Sequence, residues 1–526
     1  MKKIMFFMFF VIIANGAFSQ GLHVSSGESF YVSPESHVFV GGDINVATTG
    51  TPGNLTITSD QAKSGSLIVA GNTPSGSITY KRYIDDTKWH LVAAPVVGQS
   101  ISAFVADVAN AVNVKETDKY AVAYYKNTNA SGKRWVYHKT SASGGVANEA
   151  ILTTFGNGKG YSANRTAAGT FSFKGAIATS DVAVPLATSG SGTHYWHAVG
   201  NPYPSFLPVN DAANIVNLIS ENSTVFDPSF AGLYVWDPNA DSGNGAYTLI
   251  NKAYSGAVYL TPGQAFLVKA KDNNQSFTFS EALQVQQNSA DNFYKSSPVP
   301  SIVLSLSNGA SKSTTTLKYF SNATTGLDIG YDGGAYQDAI SNFSLDTHLV
   351  NNSKGVDFTL QCLPKDTYET LVVPLSVRAE ANQELRFVAD INNLPADIFV
   401  YIEDKVANTL HKINDAPYKV TPKMALNGVG RFYMHTASEA LNISDVNDLN
   451  NIAIYKANNR TVKITGLQKG SATAVKMYAI TGKKVLSKTL QAQTVNNIIL
   501  PILSPGIYIV QVITASKVQA KKIIIE

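Results

Sequence analysis

"YWHAVGNPYPSFLPV", residues 195–209, sets a Trp-His pair in an alternating apolar run and follows it with the closely spaced Pro202 and Pro204. Histidine among aromatics invites an active-site reading. Beside "KWHLVAAPVVGQSISAF", residues 88–104, the stretch reads instead as one of two copies, Trp196-His197 falling 107 residues after Trp89-His90. Three further landmarks keep that order: Trp135 stands over Tyr247 at 112 residues, Tyr161 over Phe266 at 105, and Phe171 over Phe277 at 106. A period near 106 exceeds a solenoid rung or a propeller blade, and it predicts a duplicated β-sandwich region over residues 80–287. On a regular strand Trp196 and His197 face opposite ways, as do His194 and His197, so the two histidines could not share a metal ion. Trp89 and Trp196 are therefore expected in the core, and His90 and His197 at the surface or in hydrogen bonds. Asn-Pro-Tyr-Pro is expected to be a rigid turn, because its prolines remove backbone donors and fix φ.

Working outward, 526 residues are too many for one core. Only 15% are charged, and the abundance of Gly, Ser, Thr, Asn, Tyr and Val favours strands and turns. The expected fold class is all-β, a multidomain series of tandem β-sandwiches. Residues 1–19 read as a secretory signal peptide: Lys2 and Lys3, an apolar run from Ile4 to Ala14, and small residues at Ala17 and Ser19. No later apolar run is long enough for a transmembrane span. Residues 20–79 carry short alternating runs punctuated by Gly, Ser and Asp, the pattern of a β-solenoid-like or meander segment. Cys362 is the only cysteine, which excludes an intramolecular disulfide and reads as a buried strand residue in "FTLQCLPK".

After a linker-like stretch to Pro300, residues 301–437 alternate strongly in "ETLVVPLSVRA", "IFVYIEDK" and "GRFYMHT". This part resembles the immunoglobulin-like β-sandwich that often precedes type IX sorting domains. From Asn451 short alternating strands are broken by Thr481-Gly482 and Pro505-Gly506, a compact sandwich of its own. The motifs "VKMYAITGKKV", "LSPGIYIVQV" and "KKIIIE", in that order, resemble the type A C-terminal sorting domain of the Bacteroidota type IX (Por) secretion system. That domain is assigned to residues 442–526. The resemblance implies export through the type IX secretion machinery, and a passenger either released or held on surface lipopolysaccharide. The expected location is thus secreted or outer cell surface.

From Leu441 onward eleven Lys or Arg stand against Asp445, Asp448 and Glu526, a balance of +8 within a chain of +4. Without the two signal lysines, the passenger is near −6. Such a balance gives no reason to expect nucleic-acid binding.

No HExxH, P-loop or GxSxG motif is present. In "WDPNADSGNGAY", Asp237, Asn239 and Asp241 alternate as loop ligands to calcium can, although the obligatory Gly and closing Glu of the helical calcium loop are missing. The same residues also make an ordinary hairpin loop. Tyr124, Trp135, Tyr203 and Trp236, near strand ends, could stack on an extracellular glycan if their rings are exposed. The sequence therefore points first to a non-enzymatic adhesive or structural exoprotein. A carbohydrate-binding protein, calcium-assisted or without a cofactor, and a secreted hydrolase stand as alternatives.

Overall fold

The computed structural model describes residues 21–525 apart from 52, 117, 142–148, 187–193, 241–242, 244, 288–298, 337–340, 369–370, 439–451, 459, 468–469, 494 and 515–517. The signal segment, 1–19, lies outside the described residues. The protein is all-β and built from several bodies around four main apolar clusters, one of them shared by the N-terminal coil and the body that follows it.

Residues 22–84 wind as a parallel coil. Leu22–Val24 pairs in parallel with Ile44–Val46, and His37–Val40 with Ser66–Val69. Ser29–Val32 pairs with Asn54–Thr58, which pairs with Ile78–Ile84. Apolar residues at alternate positions, such as Val32, Ile57 and Val69, point inward and are buried. The coil has no end cap at residue 79. Ile78–Ile84, its last rung, also pairs antiparallel with Gly169–Gly175 of the next body, so one strand serves both.

The next two bodies share a strand order. In the first, His90–Val92, Tyr161–Ala163, Lys119–Tyr125 and Trp135–Lys139 lie side by side, and Ile78–Ile84 pairs with Gly169–Gly175. In the second, Trp196–Gly200, Ala265–Lys269, Leu233–Asp237 and Ala246–Ile250 lie side by side, and Val182–Leu186 pairs with Gln275–Phe279. The two join through reciprocal backbone contacts. Lys159 bridges Val199 while Gln264 bridges Val92, positions 105 and 107 apart in the chain. The Gly200 N–H donates to the Gly158 carbonyl at 2.9 Å, and the Ala93 N–H to the Gly263 carbonyl at 3.0 Å. Gly158 and Gly263 both sit at left-handed φ, +72° and +74°, which a side chain would strain. The arrangement is that of two like surfaces meeting about an approximate two-fold axis.

Residues 301–437 form one folded ladder of ten strands, running from Thr409–Lys412 at one end to Tyr418–Val420 at the other, with Gly333–Gly334 paired alongside. Its one parallel pairing among the described strands joins Lys312–Phe320 to Phe358–Pro364. The ladder's two ends meet over a common core. The Tyr418 hydroxyl donates to Asp404 at 3.0 Å, and Arg431 holds the same buried carboxylate from 2.7 Å. Cys362 lies fully buried on Phe358–Pro364. The C-terminal body packs a three-stranded sheet against a four-stranded one, with Val462, Met477 and Val510 between them.

Phe277 anchors the second body, its ring 5.0–6.2 Å from those of Phe226, Phe266 and Phe279, with none of its surface exposed. Phe277→Ala should cost about 3–5 kcal/mol of unfolding free energy. A urea transition at the wild-type midpoint would contradict this packing.

Candidate functional site

The stretch 195–209 is where the bodies meet. Trp196 is buried, 3% exposed, but not in its own sandwich. It belongs to a cluster with Tyr234, Leu249 and Leu267 of the second body and Leu360 and Cys362 of the third, flanked by Tyr125 and Trp135 of the first. Its ring takes edge contacts from Phe230 at 5.6 Å, Tyr234 at 4.7 Å and Tyr336 at 4.9 Å. Tyr336 continues to Tyr247 at 4.7 Å, and its hydroxyl lies 3.4 Å from that of Tyr125. The Tyr234 hydroxyl donates to the Gly334 carbonyl at 2.7 Å. Such edge-on aromatic pairs add to the area they bury, about 0.5–1.5 kcal/mol each.

Trp89, expected as the equivalent core residue, is 38% exposed, its ring meeting only Tyr137, at 5.8 Å, among the aromatic rings of the described residues. Its carbonyl accepts the Trp236 indole N–H at 2.9 Å, tying the first body to the second.

The histidines are linked to one hairpin of the first body. The regular strand starts at Trp196, so alternation does not govern His194. Nε2 of His194 lies 2.6 Å from the Tyr125 hydroxyl, and Nε2 of His197 lies 3.2 Å from the Asn127 amide nitrogen. The Asn127 amide can only donate, so His197 accepts as a neutral ring, whereas the Tyr125 hydroxyl and His194 can share a proton in either sense. Burial, reinforced by Arg134, Lys269 and His197 around His194 and by Lys159 near His197, pushes both down to about 4.

The Asn-Pro-Tyr-Pro turn is interior. Asn201 Oδ1 accepts the Tyr203 N–H at 3.0 Å, while its amide donates to the carbonyls of Ser205, Leu260 and Thr261. Tyr203 is 0% exposed, its hydroxyl 2.8 Å from the Ser180 and Phe279 carbonyls, so it has no ring face for a sugar. On the outer side, the Pro204 carbonyl accepts the Leu67 N–H of the coil at 2.7 Å.

The other sequence candidates are dispersed. Tyr124 is half-buried against the first body's core. Trp135 packs edge-on to Tyr125 at 5.0 Å. Trp236 is half-buried, with Gly245 so close to its ring that a β-carbon there would sit 2.1 Å away. These rings form no common platform. In the suspected calcium loop, Asp237 Oδ1 accepts the Asn239 N–H at 2.9 Å. The Lys88 ammonium donates to Asn239 Oδ1 at 2.8 Å and to the Pro238 carbonyl at 3.2 Å, where a calcium ion would need the same oxygens. Asp241 lies outside the described residues. Sequence reasoning missed Tyr125 and Tyr336, whose only signal was a Tyr in an otherwise ordinary strand or turn.

One buried row has the order of a hydrolytic triad. Ser353 Oγ lies 3.4 Å from His348 Nδ1, and His348 Nε2 lies 2.8 Å from Asp357 Oδ1. Arg378 also holds Asp357 at 2.7 Å, and Tyr455 of the C-terminal body closes over His348 at 5.7 Å. Burial alone would raise the Asp357 carboxyl, but His348 and Arg378 outweigh it and hold it well below the usual carboxylate range.

The chain thus carries an all-β passenger followed by a separate C-terminal sandwich with its own core. The model of the secretion system C-terminal sorting domain matches residues 458–526, so this is an exoprotein of the type IX route. Over residues 7–435 the chain belongs to the family described as Domain of unknown function (DUF8693). No curated protein matches the chain.

The sign of the histidine effect follows from their depressed values. Unfolded, each imidazole takes up a proton below about pH 6.5, whereas folded it does so only near 4. The stability they contribute is thus full above pH 6.5 and is lost as pH falls towards 4. The double substitution His194→Gln, His197→Gln should make the melting temperature fall less steeply between pH 6.5 and 4 than in wild type; parallel curves would refute the assignment.

Proposed function

We propose that the chain acts as a non-enzymatic adhesive or structural module at the outer cell surface or outside the cell. The observation that carries this is the aromatic junction around Trp196, which locks three β-bodies side chain to side chain. A body fixed in this way presents its faces at set distances and transmits load without hinge motion, as an attachment module requires. The long Ser353–His348 contact, 3.4 Å, and the hold of Arg378 on Asp357 at 2.7 Å support a packing role for that row rather than turnover. Cells lacking the chain should attach several-fold less to the surface on which they normally grow. Attachment equal to wild type would sink the adhesive reading. Deletion of residues 442–526 should leave the passenger in the periplasm; its undiminished appearance outside the cell would overturn the role given to that segment.

A further inference from the structure

A cleft of about 560 Å³ opens where the coil meets the first and second bodies. Its walls come from chain segments far apart: His37 and Lys63 from the coil, Arg82 and Asp85 from the shared rung and its end, Phe206 and Thr261 from the second body. The volume lies within the range of small-molecule sites, about 300–1,000 Å³.

Arg82 is the unusual wall residue. It alternates on its strand with Tyr80 and Ile84, both buried, which draws its stem inward beside Gly263. Its one hydrogen bond among the described residues runs from Nη1 to Ser64 Oγ at 3.2 Å. A guanidinium carries five N–H donors, so most of Arg82's have no protein acceptor. Burial lowers its pKa from the ordinary value, against the opposing pull of Tyr80 and Asp85. No carboxylate among the described residues forms an ion pair with it.

The charge of the walls selects the ligand. Glu35, Asp60 and Asp85 outnumber Lys63 and Arg82, and Lys63 is already paired with Glu35. An anionic ligand would meet Asp60 and Asp85; a cationic one would meet Arg82. A neutral polyol offers both acceptors to the guanidinium and donors to the carboxylates. Phe206 also borders the cleft, but it is buried and its ring stands edge-on to His37 at 6.2 Å, so it closes the wall rather than offering a stacking face.

We propose that this cleft is a saccharide subsite taking a neutral hexose unit of an external polysaccharide, with Arg82 and Asp85 contacting neighbouring hydroxyls. The assignment deepens the adhesive reading and rests on it, by giving the attachment module something to hold. It requires no bond making or breaking.

Affinity electrophoresis of the full chain through gels containing laminarin, starch or mannan, with polygalacturonate as the acidic comparison, tests it. Wild type should be retarded by at least one neutral polysaccharide, and Arg82→Ala should weaken that binding at least tenfold. Asp85→Asn, at an exposed position where the fold is not at stake, should weaken it several-fold with an unchanged melting temperature. The assignment is overturned if no neutral polysaccharide retards the chain, if Asp85→Asn binds as wild type does, or if polygalacturonate binds more tightly than the neutral polymers. Cells making Arg82→Ala that attach like wild type, when cells lacking the chain do not, would remove the subsite and leave the adhesive reading standing. Normal attachment without the chain would remove that reading whatever the gels show.

Discussion

Fifteen residues, 195–209, make four sets of contacts with three neighbouring bodies, and the arrangement of the passenger depends on all four at once. Trp196 goes to the third body, His197 to a hairpin of the first, Val199 and Gly200 pair with the backbone at Lys159 and Gly158, and Pro204 accepts a hydrogen bond from the coil. A strand that must satisfy partners on every side has little freedom in register, because a one-residue slip would exchange the faces of Trp196 and His197. The prolines then end the strand where the chain must turn into its own core at Tyr203. This constraint explains why an apparent catalytic cluster consists of packing residues: aromatics and histidines accumulate where several apolar and polar surfaces converge.

The consequence is that the passenger's bodies are not beads on a string. The coil gives its last rung to the first body, the first and second exchange reciprocal backbone bonds, and the second and third share an aromatic cluster. Isolating any one of them would strip polar backbone or large apolar area, and both are costly to expose or to leave unpaired. A single family match running from residue 7 to 435 agrees with a chain inherited as one body.

Much of this was legible in the sequence. Alternation of apolar residues announced strands, and the recurrence of Trp-His, Trp/Tyr, Tyr/Phe and Phe landmarks matched positions that occupy corresponding strands in the two bodies. The tail's motifs led directly to the sorting domain. What alternation cannot supply is the identity of the body on the far side of a buried face. Trp89 and Trp196 read alike, yet one is partly exposed and the other lies under a third body. Tyr203 was a loop aromatic by position and a core residue in fact, because the chain on either side of its turn folds around it. The Asp-Asn-Asp pattern was visible, whereas Lys88, about 150 residues away and already donating to Asn239, was not. Arg82 likewise carried no signal: a basic residue in an alternating strand is ordinarily a solvated one, and only the convergence of three bodies places it on the wall of a cleft.

The C-terminal body follows a different rule. Its core of Val462, Met477, Val510 and their neighbours closes without help from the passenger. The hydrogen bonds from its lysines to the third body, Lys463 to the Asn427 carbonyl and Lys521 to the Ser353 carbonyl, are both 3.4 Å long, at the weak end of the range. Tyr455 stands over His348, the rings 5.7 Å apart. A strongly basic body that closes its own core and leans lightly on a mildly acidic neighbour can be recognised as a unit by the export machinery without disturbing what it carries. The same weak seam leaves the junction around Trp196 intact if the tail departs, since none of the tail's residues belongs to that cluster.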